Sequence, residues 1–585
     1  MRMRALGLLL GLAFASLTSA QIFENIAPDL GLDITTPCGD VFAVDLNGDE
    51  QNDLLYTSRF DGPNYYFQYN NGTYDQLSIN LPSVDNDAGK IIPADFDHDN
   101  DLDLFLCEYH YSCVFLVNED GQMVDRTAEM GLPTRTGGRD VAFVDLDHDS
   151  WLDIIIGYYD IGWKVFHNNS GDSFTDITNA VGLPWIDDFH RFCESDVDLD
   201  GDVDLFMTTV HGEDFFFLNN DGVFEDYSQQ SGLVQAVGQG GCFWADFDND
   251  KLPDLFTGGA GEHVIWHNDG DASFTLMTMH GTPATFDQYP YSAIYVSGDY
   301  DHDGDLDVFA GEPGGGGSYD KADQFFRCDS IVGLNAYFTD IAPELGMDIM
   351  ADTRPQFFDY DRDGDLDLFI RVYGEPSRLY RNNLNGAPLT RVRAEGPEGE
   401  LDCWLTRIEV YEHGTENLVV CGETNYGGAR RDGMNHTFTL NPDSEYDLRV
   451  YYGDGTAMTP ETYPDLSGVT PAEFGNLIVV RRGVGVMVGT PVNPPAPVPT
   501  EFSVSTYPNP FNAVANIELD LAVASEVSVN VFDVQGRLAA TLLNGSVNSG
   551  KTRLQWNAEN FSSGIYFVRV TAGELTKNAK LVLMK

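Results

Sequence analysis

The sequence predicts an all-β protein: a seven-bladed β-propeller over its first two thirds, then a small β-domain, then a further compact β-domain. Two observations carry the propeller. A nine-residue acidic loop, D-x-[DN]-x-D-x-x-x-D, begins at Asp45, Asp95, Asp145, Asp196, Asp246, Asp299 and Asp359, at steps of 50, 50, 51, 50, 53 and 60 residues. Each loop also lies between two apolar, β-branched or aromatic runs, such as residues 141–144 and 154–156 around the third. A period near 50 with several short strands per unit is what a propeller requires, because no blade buries both faces alone.

The elements follow in chain order. Met1-Arg2-Met3-Arg4, an apolar run over 6–17 and Thr18-Ser19-Ala20 read as a secretory signal peptide over residues 1–20, with Gln21 the new N-terminus. The propeller spans 21–385, and its third blade illustrates the rest. Strands are expected at 141–144, 154–157, 164–167 and 174–178, the acidic loop joining the first two. The last blade lacks its own closing strand after Arg381-Asn382-Asn383. The text Phe23-Glu24-Asn25-Ile26-Ala27-Pro28-Asp29-Leu30-Gly31-Leu32 nearly repeats residues 338–347, so the N-terminal strand is expected to close that blade and leave no exposed edge. Residues 386–488 drop the period and the acidic loops, and read as a separate β-domain. A Pro-rich linker over 489–500 precedes the last domain, 501–585.

The loop chemistry points to calcium, a hard cation that takes six to eight oxygens. The side-chain ligands would be Asp45, Asn47, Asp49 and Asp53 in the first loop and Asp95, Asp97, Asp99 and Asp103 in the second. Asp145, Asp147, Asp149 and Asp153 serve the third, with Asp196, Asp198, Asp200 and Asp204 in the fourth. Asp246, Asp248, Asp250 and Asp254 form the fifth, Asp299, Asp301, Asp303 and Asp307 the sixth, and Asp359, Asp361, Asp363 and Asp367 the seventh. Up to seven Ca²⁺ are expected. An EF-hand needs a Glu at loop position 12 and flanking helices; Tyr56, Leu106, Ile156, Met207, Thr257, Ala310 and Ile370 stand there instead. Position 6 favours Gly or Asn at a left-handed bend. Glu50 and Lys251 depart from that, so the first and fifth loops are expected to bind most weakly. His98, His148 and His302 at position 4 are expected to face solvent.

The formal charge is −61, from 93 acidic and 32 basic residues. Such a chain is repelled by nucleic acid and anionic membranes, which excludes nucleic-acid function. No later apolar stretch has the length of a membrane span, and a monomer is expected. Among eight cysteines, Cys107 with Cys113 and Cys403 with Cys421 are the candidate disulfides; Cys38, Cys193, Cys242 and Cys328 have no readable pairing.

The repeats resemble the FG-GAP and VCBS repeats of integrin-type propellers, which implies calcium loops on one face and ligand recognition on the other. Residues 386–488, with Cys403-Trp404-Leu405-Thr406-Arg407-Ile408 and Gly453-Asp454-Gly455-Thr456, resemble the ASPIC/UnbV domain that follows such repeats. Tyr507-Pro508-Asn509-Pro510-Phe511-Asn512 and Val531-Phe532-Asp533-Val534-Gln535-Gly536-Arg537 resemble a type IX secretion C-terminal sorting domain, an immunoglobulin-like β-sandwich. That resemblance implies export by the type IX machinery to the medium or the outer surface of a Gram-negative-type bacterium.

Opposite the acidic loops, Lys90, Arg139, Arg191 and Arg354 enter the first strands of four blades. Acids at Asp61, Glu108, Asp160, Glu213, Glu262, Glu312 and Glu375 mark the turns there, with Tyr109, His110, Tyr111, Tyr158, Tyr159, His211 and Tyr291 nearby. The bland reading is charge pairing at a solvated rim. The functional reading is a ligand face for a glycan or an acidic partner. No GxSxG, HExxH or GxxxxGK[ST] motif occurs. The expected function is therefore a calcium-rigidified recognition or adhesion module, and the alternative a calcium-dependent polysaccharide lyase or hydrolase.

Overall fold

The computed structural model describes residues 23–584 apart from a set of segments, the longest being 82–89, 234–240, 282–293, 312–321, 424–430 and 488–502. The signal peptide and the Pro-rich linker thus lie outside the described residues. The chain is all-β and divides into two compact units, 1–491 and 492–585.

In the first unit, seven antiparallel sheets follow one another along the chain. The third shows the plan. Asp140–Val144 pairs with Asp153–Tyr158, that strand with Gly162–Asn168, and that with Phe174–Asp176. Its first two strands are wholly buried, its third is buried except at Lys164 and His167, and the fourth buries only Phe174. This gradient explains the sequence pattern: strands walled on both faces read as continuous apolar runs, and outer strands do not. Neighbouring sheets share one aromatic and aliphatic core, in which Phe96 meets Phe143 and Phe174 at centroid distances of 4.9 and 6.5 Å.

The irregular spacings have local causes. The 60-residue step spans the sixth sheet, where residues 312–323 separate the second strand, Asp307–Gly311, from the third; Gln324–Val332 and Asn335–Asp340 then form a long hairpin. That sheet gains a fifth strand, Thr278–His280, which pairs in parallel with Asn335–Asp340. In the seventh sheet the outermost strand is Phe23–Asn25, with Phe23 opposite Asn382 and Asn25 opposite Tyr380. One-turn helices at Ala27–Leu30 and Ala342–Leu345 follow equivalent strands and end in left-handed Gly31 and Gly346. Those turns went unread in the sequence.

Residues 389–487 form two facing sheets. One contains Thr390–Glu395 between Asn435–Phe438 and the parallel Leu477–Arg481. The other is built on Arg407–Glu412. Val392, Ile408, Phe438, Leu448 and Ile478 fill the space between them. The second unit is a sandwich of a three-stranded and a four-stranded antiparallel sheet around Ile517, Val529, Trp556, Val568 and Leu581.

Candidate functional site

All seven acidic loops join the first and second strands of their sheets, and they fold alike. In six of them the carboxylate at position 1 accepts the N–H groups of positions 5 and 6, as in Asp99 and Asn100 to Asp95 at 3.1 Å, whereas in the seventh Asp359 accepts from Gly364 N–H and Asp363 N–H turns to Asp361. That wraps the backbone tightly enough to need left-handed conformations at positions 4 and 6: His98 has φ 58° and Asn100 70°, and Glu50 and Lys251 adopt 63° and 84°. The carboxylate at position 9 is buried and staples the loop to the sheet. Asp103, for example, accepts from Phe96 N–H at 3.2 Å and from Asn118 N–H at 2.8 Å.

The loops thereby hold carboxylates close together in dry surroundings. Donor oxygens of Asp95, Asp97 and Asp99, of Asp145, Asp147 and Asp149, and of Asp196, Asp198 and Asp200 each lie within 4.8 Å of one another. Burial pushes the Asp53 carboxyl up to about 7 and that of Asp103 to about 8. Burial, then repulsion from Asp303 and Asp299, lifts Asp301 to about 7. Oδ1 of Asp97, Asp198, Asp248 and Asp301 is buried without a hydrogen-bond partner. An acceptor so placed is costly to leave unmatched. The donor set is all oxygen, acidic and convergent, and so fits calcium.

The histidines at position 4 correct an expectation. They point away from their own loops but into the next loop rather than solvent. His98 stacks on Trp151 at 3.7 Å, His148 Nε2 stands 2.9 Å from Asp202, and His302 Nε2 stands 3.6 Å from Asp365. Arg362 reaches Glu50 at 3.8 Å in the same way. The sequence also missed Asn118, Asn168, Asn219, Asn268 and Asn382, whose N–H groups bind the ninth-position carboxylates. Asn168, Asn268 and Asn382 further donate to loop carbonyls of the preceding sheet, those of Phe96, Val197 and Tyr300. Their near-constant offset after the ninth Asp was the available signal.

Residues 389–487 pack on the acidic-loop end within the same compact unit. Leu401 N–H reaches Asp95 at 3.4 Å, Thr439 Oγ1 donates to Asp299, and Arg407 stands 3.9 Å from Asp196. Glu423 accepts from Ser195 Oγ at 2.5 Å. Asn249 donates to Val419 O at 2.9 Å. Lys251, expected beside the metal, instead extends to Tyr411 OH at 2.6 Å and lies 3.9 Å from Glu409. Its departure from the loop pattern serves this contact.

Three of the four cations expected at the ligand face make contacts inside the fold. Lys90 is 6% exposed, donates to Val141 O at 3.1 Å and pairs with Asp140 at 2.9 Å, both in the next sheet. Arg139 donates to Phe189 O of the following sheet at 3.1 Å. Arg191 is half-buried on the first strand of the fourth sheet, and Arg354 is held by Asp352 at 2.5 Å. Lys90, Arg139 and Arg354 are thus engaged within and between sheets. Tyr158 is buried completely and cannot stack on a sugar. Asp61, Glu108, Asp160 and Glu312, with Tyr109, His110, Tyr111, Tyr159, His211 and Tyr291, lie outside the described residues.

Cys107 and Cys113 bring their sulfurs to 2.9 Å as free thiols. Cys403 lies outside the described residues, and Cys421 is buried and free. The disulfide that is formed joins Cys193 to Cys242, 49 residues apart. That separation is one repeat, so it links the first strands of the fourth and fifth sheets.

Residues 45–106, 95–156, 196–257 and 246–310 match the FG-GAP-like repeat, and residues 505–584 match the secretion system C-terminal sorting domain. The latter marks the chain for secretion or attachment at the outer surface and for contact with the type IX machinery. Among the described residues no helix is long and apolar enough to cross a membrane. No curated protein matches the chain in sequence. Its structure is similar to that of an Agrocybe aegerita lectin that recognises non-reducing terminal N-acetylglucosamine, at 15% identity over 71% of this chain and 100% of the other, with a TM-score of 0.38. PorZ of Porphyromonas gingivalis, a surface component of the type IX system, gives 13% identity, 94% and 82% coverage, and a TM-score of 0.16. AofleA from Arthrobotrys oligospora gives 10%, 53% and 88%, and 0.32.

Proposed function

We propose that the exported chain is a seven-bladed calcium propeller, closed by Phe23–Asn25, that serves as a recognition module for a glycan or an extracellular protein. The observation that carries the metal is the set of buried, unmatched third-position oxygens on Asp97, Asp198, Asp248 and Asp301. A dication would match those oxygens and offset the crowding of three or four acids per loop. Asp or Asn at positions 1, 3, 5 and 9 would hold it. Positions 4 and 6 fix the turn, and the ninth carboxylate ties each site to its sheet. Domain boundaries at 386 and 489 and an immunoglobulin-like sorting domain complete the reading, with the middle domain of the ASPIC/UnbV type.

Recognition is assigned to the end away from the acidic loops. Tyr109, His110 and Tyr111 supply flat rings of the kind that stack on sugars. A glycan screen in Ca²⁺ and then in EDTA, with product analysis of each hit, tests this. Calcium-dependent binding without cleavage is expected. Released oligosaccharide would overturn it in favour of a calcium-dependent carbohydrate-active enzyme.

A further inference from the structure

Two of the seven loops differ from the others in one donor. The residue just before the N–H that binds the ninth carboxylate is Gln68, Val117, Leu218, Arg327 or Arg381 in five sheets, and His167 or His267 in the third and fifth. His167 Nδ1 stands 3.1 Å from Asp153 Oδ1 and 3.6 Å from Asp147 Oδ2. His267 Nδ1 stands 3.2 Å from Asp254 Oδ1 and 3.5 Å from Asp248 Oδ2. In each set, three donor atoms lie within 4.8 Å of one another.

We propose that these two loops are mixed imidazole–carboxylate sites for a borderline divalent transition ion, Zn²⁺ by chemistry, rather than sites for calcium alone. The inference rests on reading the loops as cation sites. Calcium takes oxygen donors, whereas imidazole favours zinc and its neighbours. A tetrahedral ion with bonds of about 2.1 Å sets its ligand atoms about 3.4 Å apart. The four imidazole–carboxylate separations, 3.1, 3.6, 3.2 and 3.5 Å, bracket that edge. In the fifth loop the buried Asp248 Oδ1 has no hydrogen-bond partner. There the far ring nitrogen, His267 Nε2, also faces Asp269 at 3.7 Å, where a carboxylate fixes the tautomer that frees Nδ1 for metal. The competing state is a plain imidazolium–carboxylate pair, which needs no metal and gives the experiment its opposite outcome.

The ion would share Asp147 and Asp153, or Asp248 and Asp254, with calcium, so the two cations compete in these loops only. Full-length protein lacking the signal peptide is stripped with chelator, saturated with Ca²⁺ and titrated with Zn²⁺, following bound metal by elemental analysis and heat. About two Zn²⁺ per chain are expected, each displacing Ca²⁺. His167→Gln and His267→Gln should each remove one, Leu218→His in the fourth loop should add one, and Asp269→Asn should weaken the fifth site about tenfold. Melting in Ca²⁺ identifies any variant that fails to fold, and the added site in Leu218→His does not depend on those losses. Calcium bound with no histidine-dependent Zn²⁺ would overturn this inference alone. Failure to bind Ca²⁺ as well would overturn the metal reading beneath it.

Discussion

The two ends of the seven sheets handle charge in opposite ways. At one end, acids converge on one another, as in Asp95, Asp97 and Asp99. At the other, basic residues are consumed by the neighbouring sheet: Lys90 by Asp140, Arg139 by Phe189 O, and buried Arg371 by Asp40 O at 3.0 Å. The first end is the one where the proposed cations would sit. The other holds its cations as ties between sheets, so on the proposed reading the same excess of acid would have a metal-dependent and a metal-independent part.

The largest expected effect tests the first end. Chelation should lower the melting temperature by many degrees, and Ca²⁺ should restore it better than Mg²⁺, which prefers a tighter octahedron. Superimposable melting curves with and without EDTA would remove the distinction between the ends. The next test concerns the other end. Lys90→Met leaves Asp140 buried beside an apolar side chain and should cost about 3–5 kcal/mol in chemical denaturation, with or without calcium. A cost within about 1 kcal/mol would mean that Lys90 behaves as a surface ion pair. Replacing Cys193 and Cys242 by Ala should cost about 2–4 kcal/mol, seen as a melting difference that reductant abolishes. A smaller change is expected from Lys251→Gly. Losing the Tyr411 bond should cost about 1–2 kcal/mol and expose the 389–487 domain to protease, while calcium binding by the fifth loop holds or strengthens. Asp200→Ala should instead weaken calcium binding by the fourth loop. Calorimetry showing the reverse would contradict the placement of Lys251. Removing residues 492–585 should change nothing in calcium-dependent melting, since those residues form their own core.

The repeat itself was legible in the sequence because the acidic loops and the buried strand pairs are local patterns. Asp145, Asp147, Asp149 and Asp153 converge through bonds within nine residues of chain. What sequence reading missed is set by side chains crossing to another sheet. Position 4 was read as pointing to solvent because its own loop gives it no partner; the partner of His148 is Asp202, one repeat away. Lys90 has the polarity of a surface residue, and only the fold reveals Asp140 beside it. Lys251 read as a flawed loop residue because Tyr411 lies 160 residues further on. The Cys193–Cys242 link was within reach, since equivalent positions one period apart become neighbours.

The seam between the ends of the ring bears on how the chain folds. Glu24 accepts from Arg381 across 357 residues, and Ile26 N–H reaches Leu379 O at 2.8 Å. Bringing such distant segments together costs about 5 kcal/mol in chain entropy by the logarithmic loop rule, before any contact is counted. A three-residue strand offsets little of that by itself. Phe23, however, sets its ring against Tyr300 and Phe325 of the sixth sheet at 5.7 and 6.1 Å. The seam can therefore form only after the sixth and seventh sheets exist to receive it. Phe23–Asn25 must wait for sheets that are synthesised about 300 residues after it.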